Sequence, residues 1–235
     1  MVGTDDAVSL VELLDERRHL LDVAMCVLSS GREAEQVIDE AYRQWFGLPQ
    51  AQRARIVDPR SWLARAVGGI CLSRPSPGGE RARVPQSEPR YAEPADRARR
   101  SLRAREGQPT SVAEHDAVVG AVRAACVSGD VEVLTSLLAG DATAVFDGGG
   151  KVRALVGPVH GGAPVARSLL TLLARHPRTT LETHPVNGRT GLVVRYERLV
   201  AAVVVLDVAG PQVVQVWVTL NPDKLRTWNH AAGLL

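Results

Sequence analysis

The hydrophobic period of this chain changes across one stretch, Arg74 to Pro109, that has almost nothing with which to build a core. Before it, apolar residues recur every three or four positions; well beyond it, they come in the short β-rich runs of strands. Pro75, Pro77, Pro85, Pro89 and Pro94 interrupt any long helix within it, and up to Arg105 nine arginines stand against Glu80, Glu88, Glu93 and Asp96. A stretch so poor in aliphatic side chains cannot offset its ordering entropy by burial, so it reads as a joint between two folding units.

The 235 residues, 45% hydrophobic and 23% charged, suffice for two small domains that each bury a core. Net charge is only +2 and the arginines gather in the joint, so attraction to polyanions is local. No basic start leads into an apolar run, and no segment of about 18 apolar residues lacks charge, so the chain is expected to be cytoplasmic, without a membrane partner. Cys26, Cys71 and Cys126 lie far apart in apolar helical patterns, which predicts buried thiols and neither a disulfide nor a metal site.

Leu10, Leu13, Leu14, Leu20, Leu21, Ala24, Val27 and Leu28 carry the period of a first helix. Ser30-Gly31-Arg32-Glu33 has the form of a capping box and starts a second, with Ala34, Val37, Ile38, Ala41 and Trp45 as its apolar stripe. The opposite face carries Glu35, Gln36, Asp39, Glu40 and Arg43 and is available to a partner. Asp58-Pro59 supplies a cap and a first-turn proline, so a third helix runs from about Pro59 to Ser73. Gly68-Gly69 on its solvent side weakens its end.

These three helices, in the segments RRHLLDVAMCVLSSGREAEQVIDEAYRQW and DPRSWLARAVGGICLSR, resemble region 2 of the extracytoplasmic-function sigma factors. That region docks on core RNA polymerase and opens promoter DNA. The resemblance implies that Glu35, Gln36, Asp39 and Glu40 meet the polymerase, and that Arg60, Arg65 and Arg74 of the third helix face DNA. This chain departs from the pattern where family members carry several basic residues: Gly68, Gly69, Ser73, Pro75 and Ser76 stand there, so the promoter contact is expected to be weakened. It departs again in the joint, where a helix-turn-helix domain, region 4, should follow. Only Ala95 to Glu106, with Arg97, Arg99 and Arg100, resembles the tail of that recognition segment; the same arginines also fit a solvated linker helix.

Past the joint, helices are predicted over Val112 to Val127 and Val131 to Leu138, a strand over Ala142 to Phe146, and a helix over Pro164 to Arg175. Four strands follow: Thr179 to Val186, Gly191 to Tyr196, Leu199 to Val208 and Val213 to Leu220, the first two joined at Asn187-Gly188 by a type I′ turn. Helices before an antiparallel meander imply an α+β domain with its helices on one face of the sheet. The order resembles the SnoaL-like fold, a cystatin-like cone. The segments SGDVEVLTSLLAGDATAVFDGGGKVRA, PVHG, VNGRTGLVV and NPDKLR look like the C-terminal domain of one sigma-factor subgroup.

The expected class is therefore α + (α+β): a sigma region 2-like helical bundle over 8–74, a basic linker with a remnant of region 4 over 75–110, and a SnoaL-like α+β barrel over 111–230. By the subgroup's pattern Asp147, Lys151, Asn221, Asp223 and Lys224 are interdomain, regulatory residues. A bare structural reading is also open, in which Pro222 ends the last strand while Asn221 and Asp223 cap a turn. Asp147-Gly-Gly-Gly-Lys151 lacks the spacing and the Ser/Thr of a phosphate loop. Asp147, His160, Glu182, His184, Tyr196 and Asp207 are the polar residues that could project into a cone, but no spacing marks catalysis; no cofactor and no enzymatic activity are expected. Core RNA polymerase is the expected partner, with a small ligand in the C-terminal cone and a degenerate binder without promoter recognition as the alternatives.

Overall fold

The computed structural model describes residues 8–73 and 110–230. Among these, two compact units separate: a helical one of residues 14–73 together with the tripeptide 150–152, and an α+β one of residues 8–13, 110–149 and 153–230.

Helix α1 (Leu10–Met25) leads to α2 (Gly31–Gly47), a short α3 (Gln50–Arg53) and α4 (Pro59–Ser73). The core of the helical unit is the stripe expected from the period: Leu20, Ala24, Ala34, Val37, Ile38, Ala41, Trp45, Leu63, Val67, Ile70 and Cys71, joined by Tyr42. The Trp62 ring meets Trp45 edge-on at 5.3 Å, closing α4 against α2. Ser30 accepts from the Glu33 amide at 3.4 Å, so one half of the expected capping box is present. At α4 the Asp58 carboxylate accepts from the Ser61 amide at 3.0 Å and from its hydroxyl, and these bonds hold its pKa below the ordinary value. Cys26 is exposed, against expectation, because α1 ends at Met25 and the residue falls in the turn beyond the stripe.

In the second unit α5 (Val112–Ser128) and α6 (Val131–Leu137) precede β1 (Leu138–Asp147), β2 (Val159–His160) and α7 (Gly162–Leu172). Then come β3 (Thr179–Val186), β4 (Arg189–Tyr196), β5 (Leu199–Ala209), β6 (Gln212–Thr219) and α8 (Pro222–His230). A complete capping box starts α5: Ser111 accepts from the Glu114 amide while Glu114 receives the Ser111 N–H. The strands form one sheet in the order β2-β1-β6-β5-β4-β3. The meander from β3 to β6 is antiparallel, and β1 closes on β6 in parallel, Ala144 opposite Val216. Asn187 and Gly188 both take positive φ, 52° and 79°, in the two-residue turn that sets the β3–β4 register.

Pro222 follows the last strand as expected, and where a capped turn is expected it opens a helix, α8. Asn221 caps it, its Oδ1 accepting from the Asp223 amide at 3.0 Å, and Leu225 and Trp228 pack on Val186, Val193, Val200 and Val203. Ala144, Val216 and Leu206 form a buried row across three strands.

Candidate functional site

In the helical unit the outward face of α2 is partly occupied from within. Arg17, about two turns into α1, is paired with Glu35, and its Nη1 donates to the Lys151 carbonyl at 2.8 Å. The Lys151 ammonium in turn donates to Asp39 Oδ2 at 2.7 Å. Its side chain is 22% exposed and that of Asp39 28%, so the pair is shielded more than a surface salt bridge, and the other Asp39 oxygen is buried without a hydrogen-bond partner. Below them the Tyr42 hydroxyl donates to buried Glu16 at 3.0 Å. Of the four residues expected to meet a partner, Glu35 and Asp39 are thus engaged, while Gln36 and Glu40 are half-exposed beside them.

Arg60 and Arg65 are exposed on α4, and beyond the helix's own backbone and adjoining residues no atom lies within 4 Å of where a Cβ would stand on Gly68 or Gly69. Arg74, Arg97, Arg99 and Arg100, with the rest of the joint, lie outside the described residues.

In the α+β unit two glycine- and proline-marked segments, far apart in sequence, are brought together. Asp147 ends β1; its Oδ1 accepts from the Gly149 amide at 3.0 Å, its Oδ2 from the Lys224 ammonium at 2.8 Å, and its carbonyl from the Leu220 amide at 2.8 Å. Gly149 packs directly on the Asn221 side chain. Asp223 pairs with Arg226 at 2.9 Å, on the next turn of α8. Asp147, Asn221, Asp223 and Lys224 therefore form one cluster, while Lys151, four residues after Asp147, belongs to the helical unit. The signal for this cluster was the pair of motifs; Arg17, which reasoning from sequence did not single out, had only its place on the charged face of α1.

Four of the polar residues that could project into a cone have neighbours outside that set. Glu182 faces Arg195 at 3.9 Å, the His184 ring meets Trp228 edge-on, Arg178 lies over the Tyr196 ring at 4.7 Å, and His160 is linked to Thr143. Among the described residues no group of His, Cys, Asp or Glu could hold a metal ion, and no helix is long and apolar enough to cross a membrane.

No protein-family model matches the chain. It is 25% identical to the ECF RNA polymerase sigma factor SigJ of Mycobacterium tuberculosis over an alignment of 287 positions, covering 88% of this chain and 90% of that protein. The alignment is longer than the whole of this chain, so part of the relative stands opposite gaps. Among solved structures, the crystal structure of that SigJ aligns over 93% of this chain and 98% of its own, at 25% identity and a TM-score of 0.41. An LEH-like epoxide hydrolase of M. tuberculosis aligns over 49% of this chain and 89% of its own, at 15% identity and a TM-score of 0.34. The resemblance read from the helical motifs and from the two C-terminal motifs is thus matched, over most of the chain, by similarity to an extracytoplasmic-function RNA polymerase sigma factor.

Proposed function

We propose that this chain binds core RNA polymerase through the outward face of α2 and acts in transcription initiation, and that its α+β unit is a SnoaL-like cone regulating that contact. The observation that carries the reading is the Lys151–Asp39 pair. Asp39 lies on the face that the resemblance assigns to the polymerase, and the cation holding it comes from the turn that the resemblance assigns to regulation. Polymerase and Lys151 then compete for one carboxylate. A partly buried pair with an unsatisfied oxygen is a poor source of stability and a good candidate for exchange.

The test is capture of purified core RNA polymerase by the full chain. Binding is expected, with loss in Asp39→Lys/Glu40→Lys and a gain in Lys151→Ala; capture unchanged by the charge reversal refutes the reading.

A second reading, a sigma-like binding protein that has lost promoter recognition, is favoured by Gly68-Gly69 where basic residues are expected and by the unmatched part of the relative. Promoter-specific transcription by this chain with core enzyme excludes it.

A further inference from the structure

Of the 28 basic residues in the chain, 26 are arginine; the two lysines are Lys151 and Lys224. Both stand in the paired motifs, and each donates to an aspartate, at 2.7 and 2.8 Å. Arginine would supply the same charge with a better fork for a carboxylate. What lysine has and arginine lacks is an amine that loses its charge on acylation.

The two sites differ in access. The Lys224 side chain, on the first turn of α8, is 64% exposed, while that of Asp147 is 23% exposed. A small acyl donor can reach the amine without opening the fold. Asp147 has a second duty: its other oxygen receives the Gly149 amide and so closes a turn in which Gly149 and Gly150 both hold positive φ, 60° and 67°. That turn ends at Lys151.

We propose that Lys224 is an Nε-acylation site, taking its acyl group from an acyl phosphate or an acyl thioester, and that its acylation loosens the turn from Asp147 to Lys151. The neutral Nζ attacks the acyl carbonyl carbon, phosphate or thiolate leaves, the amine proton passes to solvent, and an amide remains; nothing is oxidised or reduced. The modified side chain can no longer neutralise Asp147, whose carboxylate turns to water and releases the Gly149 amide. The consequence for polymerase rests on the function proposed above; the modification and the loosening do not.

The experiment treats the full chain with acetyl phosphate and follows each lysine by peptide mass spectrometry and the Gly149 and Leu220 amides by hydrogen exchange. Lys224 should be acetylated several-fold faster than Lys151, and Gly149 should then exchange faster while Leu220, bonded to the Asp147 carbonyl, does not. Lys224→Gln should reproduce the faster exchange without the reagent, and Lys224→Arg should keep the slow exchange and give no acyl group at this position. Acetylation of Lys151 ahead of Lys224, or acetylated Lys224 with Gly149 exchange unchanged, overturns the proposal. Capture of polymerase by the acetylated chain is read separately. Faster Gly149 exchange with unaltered capture counts against the regulatory reading alone.

Discussion

A β-carbon placed on Gly149 would lie 2.2 Å from Nδ2 of Asn221, far inside van der Waals contact. Asn221 cannot swing away freely, since its Oδ1 caps α8 through the Asp223 amide. Gly149 also holds φ at +60°, where an L side chain costs about 1–2 kcal/mol by itself. Gly149→Ala should therefore lower the melting temperature of the α+β unit and fray the start of α8. In Gly149→Ala/Asn221→Ala the collision is relieved while the strain and the lost cap remain, so the double variant should lose less than the two single losses added. Additive losses in thermal unfolding contradict the contact.

Gly68 and Gly69 present the opposite case. Both sit inside α4 with open space where a Cβ would go, so nothing in the packing requires them. Alanine at either position should raise stability by about 1 kcal/mol through helix propensity alone, visible as a higher denaturant midpoint. A loss at either position shows that the backbone there is not helical in solution.

Asp58 and Glu114 each cap a helix through hydrogen bonds that favour the ionised form, and both carboxyls titrate below their ordinary values of 3.8 and 4.5. The sign follows from linkage: their contribution is full above the unfolded values and is lost as pH falls through the lower folded ones. Asp58→Asn keeps a cap without the charge, so it should flatten the acid limb of the stability–pH curve below about pH 4 and leave neutral behaviour nearly unchanged. An acid limb of unaltered slope in Asp58→Asn contradicts the assignment.

Local physics made much of this legible. The stripe from Ala34 to Trp45 and the Asp58-Pro59 cap are nearest-neighbour signals, and α2 and α4 begin where they predict. Asn221-Pro222 carries the same cap-and-proline signature, but only Leu225 and Trp228 supply an apolar face in the nine residues of α8, too few to show a helical period. The parallel closure of β1 on β6 and the reach of Lys151 to Asp39, 112 residues away, leave no local trace because they depend on the tertiary path of the chain. Motif resemblance grouped Asp147 with Lys224; the carboxylate that Lys151 meets is set by the fold alone.

The three thiols divide by burial, which gives a chemical test of both units at once. Cys26 is exposed, Cys71 is buried in the helical core, and Cys126 is buried on α5, where desolvation pushes its pKa up to about 12 from 9.0. At neutral pH a thiol reagent should label Cys26 quickly and the other two only on unfolding. Above the unfolded value the denatured chain ionises Cys126 while the folded chain keeps the proton, so stability should fall as pH rises from about 9 toward 12, by at most about 1.4 kcal/mol per pH unit. Cys126→Ala leaves a small cavity whose cost does not change with pH, and should remove this group's share of the alkaline slope. Equal alkaline slopes in the variant and the parent, or early labelling of Cys126, place that thiol outside the core and contradict the packing of α5.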